Sequence, residues 1–121
     1  HVTPVVRTLL LLTVGAFFVQ QTVGGVDYWL TFYPPLLLTR PWTLVTYMFL
    51  HGSITHLLFN MLALYFFGSR VEARLGERRF LTLYFVGGIA GALLSLVFQG
   101  RAGVIGASGA VYGVMLAFAY Y

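Results

Sequence analysis

The side chains able to do chemistry fall into two short polar islands. One is Gly106-Ala107-Ser108-Gly109, at the head of an apolar stretch, and the other runs His51-Gly52-Ser53-Ile54-Thr55-His56-Leu57-Leu58-Phe59-Asn60 and opens another apolar stretch. A serine hydroxyl is a nucleophile once a base takes its proton, and imidazole and carboxamide groups donate hydrogen bonds to an oxyanion, so the set points to acyl transfer where water is scarce. Ser108 is the candidate nucleophile, with His56, Asn60 and the Ser108 N–H as oxyanion donors. No histidine follows Ser108 in the chain, so the obvious general base is missing. His56 could serve, but it cannot easily both donate to the oxyanion and accept the serine proton.

Each residue also has a plainer reading. His56 and Asn60 are spaced i, i+4 and share one helix face, which is equally the spacing of a structural interhelical pair. His51 precedes that helix and suits a structural role, donating to a loop carbonyl; Ser53 or Thr55 suits the helix N-cap. A serine in a membrane helix often bonds its own i−4 carbonyl. The flanking Gly106 and Gly109 change that balance for Ser108, because they permit close backbone approach or unusual dihedrals. Ser108 also falls in the first turn, where unpaired N–H groups favour negative charge. The motif differs from the strand-to-helix elbow of soluble hydrolases: position 110 is alanine and no strand precedes it.

The elements that must hold these islands are membrane helices. The 121 residues are 60% hydrophobic and 8% charged, with a mean hydropathy of +0.88, whereas soluble domains carry about 25% charged residues. There is no cysteine, so disulfides and thiolate zinc sites are excluded. The net charge of +4 comes from seven arginines, mostly placed where topology demands them, so it is read as orientation and not as nucleic-acid binding.

Apolar helices are expected over about 5–24, 54–68, 80–98 and 107–121, within one domain spanning 1–121. A long interfacial loop at about 26–50 carries Tyr28, Trp29, Tyr33, Trp42 and Tyr47, with Pro34, Pro35 and Pro41 breaking any long helix. The connection Arg70 to Arg79 holds four arginines and is expected on the cytoplasmic side. Arg7 agrees with that orientation, while Arg40 and Arg101 fall on the outer side. His56, Asn60 and Ser108 then all lie near the outer ends of their helices. Gly87 and Gly91, Gly109 and Gly113, and Gly88 and Ala92 form small-xxx-small pairs that let helix backbones approach in lipid.

From Ser108 to Tyr121 a helix rises only about 20 Å, short of the roughly 30 Å hydrocarbon core. The sequence is therefore expected to be a segment of a longer protein.

Taken together, Pro41-Trp42, the His51…His56…Asn60 segment, Val71-Glu72-Ala73-Arg74-Leu75-Gly76 and Gly106-Ala107-Ser108-Gly109 resemble the rhomboid family of intramembrane serine proteases, from about Pro41 to Gly113. The resemblance implies an all-α polytopic membrane bundle in which four of six core helices are present, with a water-filled cavity open to the outside. It implies Ser108 as nucleophile of a Ser–His dyad whose histidine lies on a sixth helix, beyond residue 121. His56 and Asn60 would form the oxyanion hole, with Gly106, Gly109 and His51 in support, and Tyr112 would pack against the dyad histidine. Glu72 and Arg74 look like a structural cytoplasmic-loop motif, and Trp42 to Leu50 like part of a loop lying sideways in the outer leaflet. Many members carry arginine after the tryptophan; here it is Thr43, so that loop should be held differently.

Substrates would be transmembrane proteins in the lipid bilayer, cleaved near the outer face of what is expected to be a bacterial plasma membrane. No metal, cofactor or nucleic acid is implied. As it stands, without the dyad histidine, the chain should be inactive. The alternative is a catalytically inactive rhomboid-like protein that binds transmembrane clients, distinguished by a missing histidine on the sixth helix.

Overall fold

The first long helix, α1 (Pro4–Thr22), opens with proline at its start, where the missing N–H is no loss. Its next two N–H groups, on Val5 and Val6, donate to Oε2 and Oε1 of Glu72, both at 3.0 Å. Glu72 is buried, so one carboxylate serves two orphan donors and meets the positive end of the helix dipole. This ties the start of α1 to a residue 67 positions away. The computed structural model describes residues 2–98 and 106–120, and only the backbone of Phe98 and Ser108.

Between α1 and the next long helix, the chain folds into short pieces: α2 (Val26–Leu30), a 3-10 turn at Pro34–Leu36, α3 (Thr43–Thr46) and a second 3-10 turn at Tyr47–Phe49. The pieces are short where Pro34, Pro35 and Pro41 interrupt the chain. Arg40 holds its first part: the guanidinium lies 4.3 Å from the Tyr28 ring centre and 4.5 Å from that of Trp29, and Nη1 donates to the Tyr28 carbonyl at 2.9 Å. Trp42 Nε1 donates to the Trp29 carbonyl at 2.9 Å. Thr43, where an arginine was the pattern, is buried and gives its hydroxyl to the Arg40 carbonyl at 2.6 Å. The arginine of this loop thus stands before the tryptophan.

The second long helix, α4 (Ile54–Leu75), is capped by Ser53, whose Oγ accepts from the His56 N–H at 3.1 Å. It contains a π-helical stretch at Leu64–Gly68. Sequence reading ends this helix near Gly68 and makes Arg70 to Arg79 a loop. Instead the helix runs on to Leu75, and α5 (Glu77–Phe98) begins after a single residue, Gly76, at φ 88°. Arginine, glutamate and alanine are good helix formers, and Glu72 finds its partners on α1 and not in a loop. Gly76 alone breaks the run, in a dihedral region that disfavours side chains.

The last described helix, α6 (Ser108–Tyr120), packs along α5 through the two glycine pairs. A Cβ added to Gly87 would lie 3.3 Å from the Ala110 Cα and 3.4 Å from the Gly109 carbonyl oxygen; one added to Gly91 would lie 3.4 Å from the Gly109 Cα. The contact is backbone on backbone, as the spacing predicts. Met48 fills the notch at Gly88, where an added Cβ would collide with its sulfur.

Three helices, Pro4–Thr22, Ile54–Leu75 and Glu77–Val97, are long and apolar enough to cross a membrane, and Gly109–Tyr120 is a shorter apolar helix. Their outward faces carry Leu11, Leu12, Phe18, Leu58, Phe59, Val86 and Val97, all exposed, as lipid-facing surfaces require. Among the described residues the long elements are all helices, and the chain forms an all-α membrane bundle. Arg101 lies outside the described residues.

Candidate active site

The two polar islands meet at the head of α6. His51 and His56 have ring centres 4.9 Å apart and an interplanar angle of 63°. The edge of His56 carrying Cε1 and Nε2 presses on the Gly106 backbone: a Cβ there would lie 2.8 Å from Cε1 and 3.0 Å from Nε2. Gly106 is also at φ 109°, so both the space and the dihedral require glycine two residues before Ser108.

Three contacts fix this turn. The Gly106 N–H donates to the Tyr47 carbonyl at 2.9 Å, and the Ala107 N–H donates to Nε2 of His51 at 3.3 Å. Gly109, just past Ser108, lies against Gly87 and Gly91. The backbone of Ser108 begins α6, so its amide belongs to the first turn, where N–H groups lack helical acceptors. The Ser108 hydroxyl, the nucleophile of the sequence reading, lies outside the described side chains.

The sequence suggests His51 as a donor to a loop carbonyl; its ring has the Phe49 carbonyl as a neighbour on that side, and at Nε2 it also accepts from a loop N–H, that of Ala107. Acceptance at Nε2 puts the ring proton on Nδ1 and requires neutral imidazole. Burial, reinforced by the charge of His56 and opposed by the Phe49 carbonyl, lowers the His51 pKa from 6.5 to about 4, so it stays neutral near pH 7.

The backbone of His51 is clamped by Gln20, near the end of α1. Its Oε1 accepts from the His51 N–H at 2.9 Å, and its Nε2 donates to the His51 carbonyl at 3.2 Å and to Asp27 Oδ1 at 2.9 Å. Gln20 is not among the residues that the two polar islands single out. A glutamine pair closing an otherwise apolar helix was the available signal, since amides are costly there without partners. Tyr47, noted only as an interfacial aromatic, was missed as well.

Asn60 is buried one turn beyond His56 and donates from Nδ2 to the His56 carbonyl at 3.2 Å. Beside it, between α4 and α6, opens a cavity of about 250 Å³ whose lining includes His56, Phe59, Asn60, Val111, Tyr112 and Met115. Tyr112 is 66% exposed beside this cavity. The structure therefore brings together His51, His56, Gly106 and the Ser108 backbone, with Asn60 and Tyr112 on the adjoining wall. Among the described residues no group of three histidine, cysteine or acidic side chains could hold a metal ion.

The family model described as Rhomboid domain matches residues 38–121. RHOMBOID-like protein 4 of Arabidopsis thaliana is 38% identical over 108 residues, covering 89% of this chain and 24% of that protein. Rhomboid protease GluP of Bacillus subtilis (strain 168) is 44% identical over 79 residues, covering 65% of this chain and 15% of that protein. RHOMBOID-like protein 6, mitochondrial, of Arabidopsis thaliana is 40% identical over 74 residues, covering 61% of this chain and 24% of that protein. The chain thus spans about a quarter or less of the length of these relatives.

Proposed function

The chain belongs to the rhomboid family, and from that premise we propose that it carries the nucleophile and the oxyanion donors of an intramembrane serine endopeptidase. Ser108 Oγ attacks a peptide carbonyl of a transmembrane substrate. A histidine beyond residue 121 takes the hydroxyl proton and returns it to the leaving amine, and water then releases the acyl group from Ser108. The Ser108 N–H, His56 and Asn60 hold the tetrahedral oxyanion. Tyr112, exposed on the cavity wall, offers its ring to that histidine. The arginines between Arg70 and Arg79 orient the site outward, as a bacterial plasma membrane would require.

The observation that carries this reading is the press of the His56 ring on Gly106, at φ 109°, two residues ahead of Ser108. A purely structural histidine–asparagine pair has no need of a glycine-only turn leading into a helix N-terminus. The test is reaction of the intact protein, reconstituted in vesicles, with a fluorophosphonate and with a transmembrane substrate. Labelling and cleavage are expected in the wild type and absent in Ser108→Ala. Cleavage at the wild-type rate in Ser108→Ala overturns the assignment. Absence of both in the wild type favours a client-binding role.

A further inference from the structure

Tyr47 touches α5 and the head of α6 through its phenol and the Gly106 turn through its main chain. Its carbonyl accepts the Gly106 N–H at 2.9 Å. Its phenol donates to the Gly88 carbonyl of α5. The phenol oxygen lies 3.3 Å from where a Cβ of Gly91 would be, and 3.6 Å from where one of Gly109 would be. The phenol thus occupies the notch left by the absent side chains of Gly91 and Gly109. It is buried, with its ring 6.1 Å from that of Phe32, centre to centre, and the next residue, Met48, seated at Gly88.

We propose that Tyr47 is a positioning residue for Ser108: its phenol fixes residue 47 to α5, and its carbonyl then fixes the Gly106 turn at that height. This rests on the reading of Ser108 as nucleophile. The logic is one of reach. The Gly106 amide donates to the Tyr47 carbonyl, so a slip of residue 47 along α5 is passed to the backbone one residue before Ala107. The phenol–Gly88 bond opposes that slip directionally, beside the packing of Met48 at Gly88. Burial, with the neighbouring Ala92 amide working against it, pushes the Tyr47 pKa up to about 12, so the phenol remains a donor at every working pH.

Misplacement of a reacting group by about 1 Å can cost on the order of 100-fold in rate. In Tyr47→Phe, the ring and the carbonyl–Gly106 bond remain while the phenol bond is lost. The experiment compares wild type, Tyr47→Phe and Gly91→Ala in the intact, vesicle-reconstituted protein. It measures kcat and KM for a transmembrane substrate, the fluorophosphonate labelling rate, the melting temperature, and hydrogen exchange at the Gly106 and Ala107 amides. Tyr47→Phe is expected to lower kcat and the labelling rate together by about 10- to 100-fold per folded molecule, with KM within twofold and faster exchange at Gly106. Gly91→Ala, whose Cβ would crowd the phenol, should move the same readouts in the same direction. A lowered melting temperature with unchanged kcat per folded molecule makes Tyr47 a structural residue only and overturns the proposal. If Tyr47→Phe fails to fold, Gly91→Ala is judged against Gly87→Ala, whose nearest contacts are α6 backbone and not the phenol: a larger loss of labelling in Gly91→Ala supports the proposal, and equal losses overturn it. An unreactive wild type overturns the Ser108 reading and this proposal with it, whereas a reactive wild type matched by both variants overturns this proposal alone.

Discussion

Ala107 and His51 are joined by a hydrogen bond whose acceptor is the ring: the Ala107 N–H reaches Nε2 at 3.3 Å. A protonated imidazole has no lone pair to offer, so this bond exists only while His51 is neutral. The residue next to the candidate nucleophile is therefore held by a titratable group that takes no part in the proposed proton transfers.

That relationship sets a pH dependence. The His51 pKa falls from 6.5 to about 4, first by burial and then by the charge of His56. Between those values the unfolded chain binds the proton and the folded one does not, so stability rises with pH across the window. The contribution is complete above about pH 6.5 and is lost as pH falls toward 4. In His51→Gln, the amide oxygen can still accept from Ala107 but does not titrate. The expected result is a melting temperature that declines between pH 6.5 and 4 more steeply in wild type than in His51→Gln. Parallel profiles in the two proteins would contradict the assignment.

Gly106→Ala tests the contact between the turn and His56. A non-glycine residue at positive φ costs about 1–2 kcal/mol. The new Cβ would also meet His56 Cε1 at 2.8 Å, forcing the ring off its place. Both effects act on the site, so the loss of fluorophosphonate labelling, on the order of 100-fold, should exceed what the fall in melting temperature explains. Wild-type labelling in a folded Gly106→Ala protein would show that the ring contact carries no catalytic weight.

The helices, the two islands and the glycine seam were legible because each is local. Ser53 caps from three positions away, His56 and Asn60 share a face by spacing, and Gly87, Gly91, Gly109 and Gly113 announce close packing by repetition. What was not legible works over distance or through the backbone. Glu72 looked like part of a charged loop, since its partners at Val5 and Val6 are 67 and 66 positions away, and so the helix through Arg70 and Arg74 was cut short. Gln20 acts on the backbone of His51, 31 positions on, and Tyr47 on Gly88, 41 positions on; no local pattern encodes either. The direction of the His51–Ala107 bond depends on which way the turn's amides face, which residue types do not state.

Asn60→Ala should leave slow cleavage in place. It removes one of three proposed oxyanion donors, and losing one such donor typically costs about 100- to 1000-fold in kcat. The cavity beside it, about 250 Å³, would enlarge, so KM is expected to change little. Steady-state cleavage of a transmembrane substrate in vesicles measures both. An Asn60→Ala protein as fast as wild type would reduce Asn60 to a structural partner of the His56 carbonyl.

Two glycines on long helices should respond oppositely to the same substitution. At Gly87 an added methyl meets backbone of α6, Ala110 Cα at 3.3 Å and the Gly109 oxygen at 3.4 Å, which can yield only if the helices separate. At Gly15, in α1, no atom lies within 4 Å. Gly87→Ala is expected to destabilise by about 1–3 kcal/mol, and Gly15→Ala to stabilise by up to about 1 kcal/mol through helix propensity. Unfolding titrations in mixed detergent micelles compare them. Equal midpoints for the two variants would mean that the α5–α6 seam is looser than its backbone contacts imply.

Glu72→Gln isolates the tie between α1 and α4. The carboxylate accepts from two N–H groups with two oxygens, at 3.0 Å each. Glutamine keeps one acceptor and turns an NH₂ group toward the other amide, leaving a donor facing a donor in a buried site. It also removes a negative charge from the positive end of α1. An unsatisfied buried donor costs about 1–3 kcal/mol, so the melting temperature should fall. Hydrogen exchange should speed up first at Val5 and Val6, while exchange at Gly106 and Ala107 stays at the wild-type rate, because neither of those amides is bonded through Glu72. Faster exchange at the Gly106 turn without a change at Val5 and Val6 would place the effect of Glu72 at the wrong end of the bundle and break this account of its role.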